Sequence, residues 1–345
     1  MDRTSQVILR NASRLSPGPV LLVNPPRDSL FRELEQGGWP VQISTQDFGD
    51  CRWLQGSGAN VSFEVVPEPL ADCASIILNL PREKERLGMM LHALSTWMSA
   101  DTALWVVGEN RAGIKSAGRH LERYFQSVSK LDSARHCGVF EATGPSKDTP
   151  FTLSDYTENW PVEFGGKRIE VVSLPGVFAH GRLDNGSRLL LQALEKLQPS
   201  GRVLDFACGS GVIGCSLLAM DTGAELTLLD VSALALESSR LTLVQNGLKG
   251  ALLASDGLSE LEGTYDWIIS NPPFHRGVSN DLEIAAEFFR RAGTFLSENG
   301  RIVIVCNRHL PYASWLRNHF EQVLLLDENA EFVIIQAGKP HYRKE

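Results

Sequence analysis

From about residue 186 onward, short apolar runs alternate with helical stretches, and this alternation leaves few folds open. The spacing predicts helices over 187–197, 212–220, 233–246 and 282–296. It predicts strands over 202–206, 226–230, 267–270, 301–306 and 331–336, with one more just before Ser255. Such a pattern implies an α/β fold with a mostly parallel, doubly wound, Rossmann-like sheet and right-handed crossovers. Ahead of it, 162–164 and 168–172 alternate around Gly165-Gly166, the signal of a hairpin with a primed turn. The hairpin follows a polar stretch rich in Gly, Pro and Ser, Ala142 to Pro150. We therefore expect two domains, 1–150 and 151–345.

Part of the second half is echoed in the first. Ala74–Pro81 matches Asp266–Pro273, with Asn79 and Asn271 in register at an offset of 192. Leu104–Asn110 matches Ile302–Asn307 at 197, and His120–Phe125 matches Trp315–Phe320 at 195. Near-constant offsets in the same order predict an internal duplication of one α/β fold. The copies differ after the first strand. The second half has Asp205-Phe206-Ala207-Cys208-Gly209-Ser210-Gly211, where the first has Val23-Asn24-Pro25-Pro26-Arg27 without glycine. A turn without glycine cannot bring its backbone close to a ligand. The first half is expected to be a degenerate copy that has lost cofactor binding, with Asn24-Pro25-Pro26 a plain turn.

Composition narrows the functional classes. No run of apolar residues is long enough to span a membrane, and no signal peptide is read at the start. The six cysteines lack metal-site spacing, so no metal is expected, and reduced thiols fit a cytoplasm; a monomer is expected. The net charge is −8, of which residues 1–150 contribute −1 and the rest −7. That is not the basic footprint of a dedicated nucleic-acid binder. The first half, with 12 arginines, is the less repulsive towards RNA.

The chemistry concentrates at the ends of strands. Gly209-Ser210-Gly211-Val212-Ile213-Gly214 fits G-x-G-x-x-G, a weak signal alone. Asp205, four residues before it, would repel a pyrophosphate but suits a sulfonium and an ammonium, which favours S-adenosylmethionine over a dinucleotide. Gly209 and Gly211 would let the backbone of Ala207, Cys208 and their neighbours approach it. Asp230, followed by Val231, ends the next strand and suits two ribose hydroxyls. Asp256 is placed to accept an adenine amino group. A helix cap or a solvated loop accounts for either acid as well. Asn271-Pro272-Pro273-Phe274 follows a strand at the ligand-binding sheet edge. The Asn271 side-chain oxygen and the Pro272 carbonyl can accept both N–H groups of an exocyclic amine. The prolines stiffen the turn and Phe274 offers a stacking face. Catalysis would be mainly positioning.

These motifs resemble class I amino-methyltransferases. The tandem arrangement, with Pro175-Gly176-Val177-Phe178 and Leu183-Asp184-Asn185-Gly186-Ser187, resembles the bacterial RsmC family over essentially the whole chain. The resemblance implies methyl transfer to guanine N2 in 16S rRNA of the 30S ribosomal subunit. It also implies that Phe178, Asp184 and Gly186 line the cofactor mouth. Ala179-His180-Gly181-Arg182 departs from the family pattern, and His180 reads as a loop histidine. Other readings stay open: the same chemistry on 23S rRNA or on a protein glutamine, or a non-catalytic RNA-binding assembly factor. A nicotinamide-dependent oxidoreductase is disfavoured by Asp205.

Overall fold

Each half of the chain builds its own seven-stranded sheet, and the two sheets share one strand order. The computed structural model describes residues 1–146, 149–221, 223–272 and 279–341. It divides into two units, Met1–Thr157 and Glu158–Glu345.

In the first unit the order of elements is α1 (Arg3–Arg10), β1 (Val20–Val23), α2 (Leu30–Gln36), β2 (Val41–Thr45), α3 (Phe48–Gly56) and β3 (Val61–Phe63). Then come β4 (Ser75–Asn79), α4 (Lys84–Trp97), β5 (Ala103–Glu109), α5 (Ala117–Leu121), β6 (Phe125–Ala134) and β7 (Cys137–Pro145). The sheet runs β3-β2-β1-β4-β5-β7-β6, with β1 to β5 parallel and β7 antiparallel to both neighbours. Residues 149–157 belong to this unit because His92 of α4 holds them. One ring nitrogen of His92 lies 2.7 Å from the Tyr156 hydroxyl and the other 3.1 Å from the Thr149 carbonyl. The polar stretch at 142–150 thus precedes the structural division by several residues.

The second unit opens with the expected hairpin, β8 (Glu158–Phe164) and β9 (Lys167–Ser173). Gly165 and Gly166 both have positive φ, 54° and 70°, as a type I′ turn requires. There follow α6 (Asn185–Leu197), β10 (Gly201–Phe206), α7 (Val212–Ala219), β11 (Ala224–Asp230), α8 (Ala233–Gln245), β12 (Ala251–Ala254) and β13 (Tyr265–Ser270). The chain ends with α9 (Ser279–Ala292), β14 (Leu296–Asn307), α10 (Tyr312–Arg317), β15 (Phe320–Glu328) and β16 (Phe332–Pro340). The order β12-β11-β10-β13-β14-β16-β15 repeats that of the first unit strand for strand. Duplication of one fold, read from the offsets, is what the topology shows.

Alternate residues of β10 serve opposite faces of the sheet. Val203 joins the core under α6, α7 and α8, while Leu204 and Phe206 join the core under α9 and α10. The Phe206 ring stacks on Phe288 of α9 at 4.3 Å. Two expectations shift. The helix read to 296 stops at Ala292, and Leu296 already pairs with Tyr265 across a bulge. β15 was not anticipated, being an edge strand with exposed Leu324 and Leu325.

Helix α8 ties the hairpin to the rest through buried hydroxyls as well as through the shared apolar core. Ser238 accepts the Leu174 N–H at 3.0 Å, and Thr242 accepts the Val172 N–H at 3.0 Å. Thr242 also donates to the Ser210 carbonyl at 2.9 Å, and both side chains are fully buried. Thr242→Val keeps the shape and removes these bonds. We expect a loss of about 1–3 kcal/mol, the cost of stranding buried polar groups, read from the urea midpoint.

Candidate active site

The order of strands reverses between β10 and β13, and in such sheets the ligand crevice opens beyond the carboxyl ends of the strands. The expected site residues sit there. The glycine turn follows β10, Asp230 ends β11, Asp256 follows β12, and Asn271 follows β13.

The turn leaves β10 through Ala207, whose φ of 58° is in the left-handed region. Gly209 and Gly211 follow at 57° and 74°, but their surroundings differ. Among the described residues a Cβ on Gly209 would meet only Val177, at 3.9 Å, so they leave this backbone open to a ligand. A Cβ on Gly211 would lie 2.9 Å from the Ser239 hydroxyl and 3.2 Å from its Cα. Gly211 is therefore required by packing against α8, and the open approach belongs to Gly209. Cys208 is buried, with Sγ 3.3 Å from the Ser239 hydroxyl, and burial pushes its thiol pKa up.

Asp230 braces this turn. One carboxylate oxygen accepts the Gly209 N–H and the other the Ser232 N–H, each at 3.0 Å. Ser232 in turn caps α8. Val231 between them is half-buried. Asp256 is exposed just past the end of β12, and the preceding Ser255 N–H bonds the Asp230 carbonyl. The two acids thus stand at neighbouring strand ends.

Asp205 lies deeper than the sequence reading implied. It is only 1% exposed and tucks under the first turn of α7, accepting the Gly214 N–H at 2.9 Å. Its other oxygen is buried without a hydrogen-bond partner. Burial, with a smaller push from Asp230, raises its pKa to about 7, against the pull of the Gly214 N–H.

Asn271 is held by its amide nitrogen. Nδ2 donates to Ser187 Oγ at 2.9 Å and to Asp184 Oδ2 at 3.2 Å. Its Oδ1 is buried with no partner among the described residues. Pro272 follows, buried. Pro273 and Phe274 lie outside the described residues. Asp184 also caps α6, accepting the N–H groups of Gly186 and Ser187. Gly186 packs closely, since a Cβ there would lie 3.3 Å from the Phe332 ring. Phe178 is 58% exposed in the loop that follows β9. His180 bonds the Ser173 hydroxyl at 2.7 Å, as a loop histidine does. The bond of Ser187 to Asn271 and the α8 hydroxyls escaped the sequence reading. Their partners are 30 to 84 residues away, so no local pattern marks them.

The corresponding place in the first unit is differently built. Asn24, with φ of 50°, follows β1 where Ala207 follows β10. Its side chain bonds Gln46, whose Oε1 also accepts the Arg86 guanidinium. Asn24-Pro25-Pro26 is a turn within this network.

These arrangements can be set beside known proteins. The family model described as "Methyltransferase small domain" matches residues 168–336, and "Methyltransferase small domain N-terminal" matches 5–160. A ribosomal RNA small subunit methyltransferase C of Pseudomonas entomophila is 40% identical over 313 residues, 90% of this chain and 92% of its own. That of Hahella chejuensis is 35% identical, covering 98% of each chain. The chain belongs to the ribosomal RNA small subunit methyltransferase C family. A solved T. thermophilus structure, a 16S rRNA N2 G1207 methyltransferase (RsmC) in complex with AdoMet and guanosine, shares the fold. Its TM-score is 0.85 at 24% identity, covering 98% of this chain and 92% of that one. Among the described residues no helix is long and apolar enough to cross a membrane, and no cluster could hold a metal.

The residues fit the cofactor that the family uses. Among the described residues the Gly209 backbone is open, Asp230 stands beside it at the strand end, and one Asp205 oxygen lies buried and unpaired beneath the turn.

Two outcomes follow. Gly209→Ala is expected to weaken S-adenosylmethionine binding at least about tenfold, with a folding cost of about 1 kcal/mol for the left-handed φ. Gly211→Ala is expected to cost more stability, because it drives a methyl into α8. Calorimetric titration and thermal unfolding separate them. For Asp205 the folded-state pKa lies above its ordinary 3.8, so the folded chain holds that proton more tightly. Its contribution to stability is greatest below about pH 4 and is lost as pH rises towards 7. Relative to Asp205→Asn, the parent should lose stability across that window and then level off, as read from urea midpoints at each pH.

Proposed function

We propose that the second unit transfers the methyl group of S-adenosylmethionine to the exocyclic N2 of a guanosine in 16S rRNA. The observation that carries this is the Asn271 amide at the carboxyl end of β13, with Nδ2 bonded on the protein side and Oδ1 buried without a partner. Such an oxygen is an acceptor waiting for a donor. An exocyclic amine has two N–H groups, and the Pro272 carbonyl is next in the chain to take the second. Both bonds hold the nitrogen and turn its lone pair toward the methyl carbon. The bound cofactor supplies a methyl group on a positively charged sulfur, which needs little further activation. Asp230 holds the ribose hydroxyls, Asp256 the adenine amino group, and the Gly209 backbone the methionine moiety. Phe274 provides the stacking face for a guanine taken out of its stack, which costs a few kcal/mol.

Membership of the family supports the substrate, since its curated relatives are named for the small-subunit ribosomal RNA. The finer reading is that the assembled 30S subunit is modified, by a monomer, in the cytoplasm where subunits are made. The first unit, with its closed Asn24–Gln46–Arg86 network, contributes RNA placement and not cofactor binding.

The test is transfer of radiolabelled methyl to unmodified small subunits, large subunits and their naked RNAs. Label is expected in 16S RNA as N2-methylguanosine. Asn271→Ala is expected to lower the rate at least about a hundredfold, the scale of losing one positioning contact at a reacting centre, with cofactor binding retained. Label confined to large subunits, or released by protease rather than ribonuclease, would overturn the substrate assignment.

A further inference from the structure

Asparagine presents an acceptor from one side of its amide and a donor from the other, and only the acceptor side can receive an amine. Something in the protein has to fix which side faces the substrate. The geometry points to Asp184 and Ser187 as the positioning residues that lock the Asn271 amide with its oxygen toward the substrate.

Both partners of Asn271 Nδ2 come from the first turn of α6. Asp184 is the N-cap, and its Oδ2 receives Nδ2 at 3.2 Å together with the Ser187 N–H at 3.1 Å. Its Oδ1 receives the Gly186 N–H at 2.9 Å. A carboxylate is acceptor-only, so it cannot bond the amide oxygen of Asn271. Flipping the amide would set Oδ1 against Oδ2 of Asp184. Ser187, only 4% exposed, receives the same nitrogen at 2.9 Å. The amide thus has one stable orientation, set by a charge-assisted bond and a hydroxyl.

The first unit offers a comparison within the same chain. In both sheets the first and fourth strands are paired, Val23 with Leu78 in one and Phe206 with Ser270 in the other. Asn79 and Asn271 therefore occupy the same place, one residue beyond each pair. There it is the nitrogen of Asn79 that is buried without a partner. The asparagine has been kept in both copies, and the bonds from an Asp–Ser helix cap to its nitrogen occur in the second. An asparagine at that strand end does not orient itself.

This inference rests on the role proposed for Asn271, so the experiment separates the two. Full-length protein with Ser187→Ala, Ser187→Thr, Asp184→Asn and Asn271→Ala is compared in single-turnover methyl transfer to unmodified small subunits. Cofactor affinity is measured in parallel by calorimetry, and folding by thermal unfolding. Asparagine is as good an N-cap as aspartate, so Asp184→Asn keeps α6 while placing an amide N–H where it can bond Asn271 Oδ1 and let the amide turn over. Expected are a rate loss of about tenfold for Ser187→Ala and about tenfold to a hundredfold for Asp184→Asn, the range for one lost or stranded hydrogen bond. Cofactor affinity should stay within about twofold, and Ser187→Thr should restore the rate, because a threonine hydroxyl accepts the same bond. If Asn271→Ala is slow and both Ser187→Ala and Asp184→Asn are as fast as the parent, the positioning role is overturned and the role of Asn271 survives. If Asp184→Asn loses only cofactor affinity, its carboxylate serves the cofactor mouth instead, and the inference fails. If Asn271→Ala itself is fast, the reading of Asn271 fails first and takes this one with it.

Discussion

The carboxylate of Asp230 is the interaction on which the second unit's crevice depends. One oxygen holds the N–H of Gly209, and the other holds the N–H of Ser232, which caps α8. Turn and helix are thereby fixed to a single strand end. The first unit shows what remains when this is removed. Thr45 ends β2 at the matching register, and its hydroxyl receives the Asp47 N–H at 3.2 Å, as Asp230 receives that of Ser232. Asp47 caps α3 as Ser232 caps α8. A hydroxyl can start the helix, so the fold persists. It has neither the charge nor the second oxygen to hold a glycine turn as well, and no glycine turn faces it.

What local sequence could reveal was governed by how local the cause is. Strand–helix alternation, the Gly165-Gly166 turn and the glycine turn at 209–211 are written in neighbouring residues, and the structure has each of them. The duplication was legible because buried parallel strands constrain sequence at fixed spacing. β15 was not, because an edge strand carries exposed residues on both faces and so lacks a clean alternation. The end of α9 was misplaced because Leu296 answers to a strand partner, Tyr265, and not to its own helix.

The site was legible in its residue types and less so in their relations. Asn271, Asp230 and the glycine turn follow from the motif. That Gly211 is needed by Ser239, that Asp205 lies beneath α7, and that Ser187 bonds Asn271 all depend on contacts across tens of residues. A serine in the first turn of a helix has ample local reason to be there. Its bond to Asn271 is visible only when α6 and the end of β13 are brought together.

The unpaired polar atoms of the second unit belong in the same argument. Stranding a buried oxygen costs stability, and a chain shaped for stability alone would pair it or replace it. Asp205 and Asn271 each keep one such oxygen at the carboxyl end of the sheet, where the crevice opens. Both atoms are acceptors, and the groups assigned to this crevice carry donors and positive charge. Under the function proposed above, these two acceptors stand where the ligands would bring the missing donors. In the first unit the polar side chains at the equivalent turn, Asn24, Gln46 and Arg86, satisfy one another. The first unit has thus closed its bonds at this turn, although Asn79 Nδ2 at the neighbouring strand end stays unpaired.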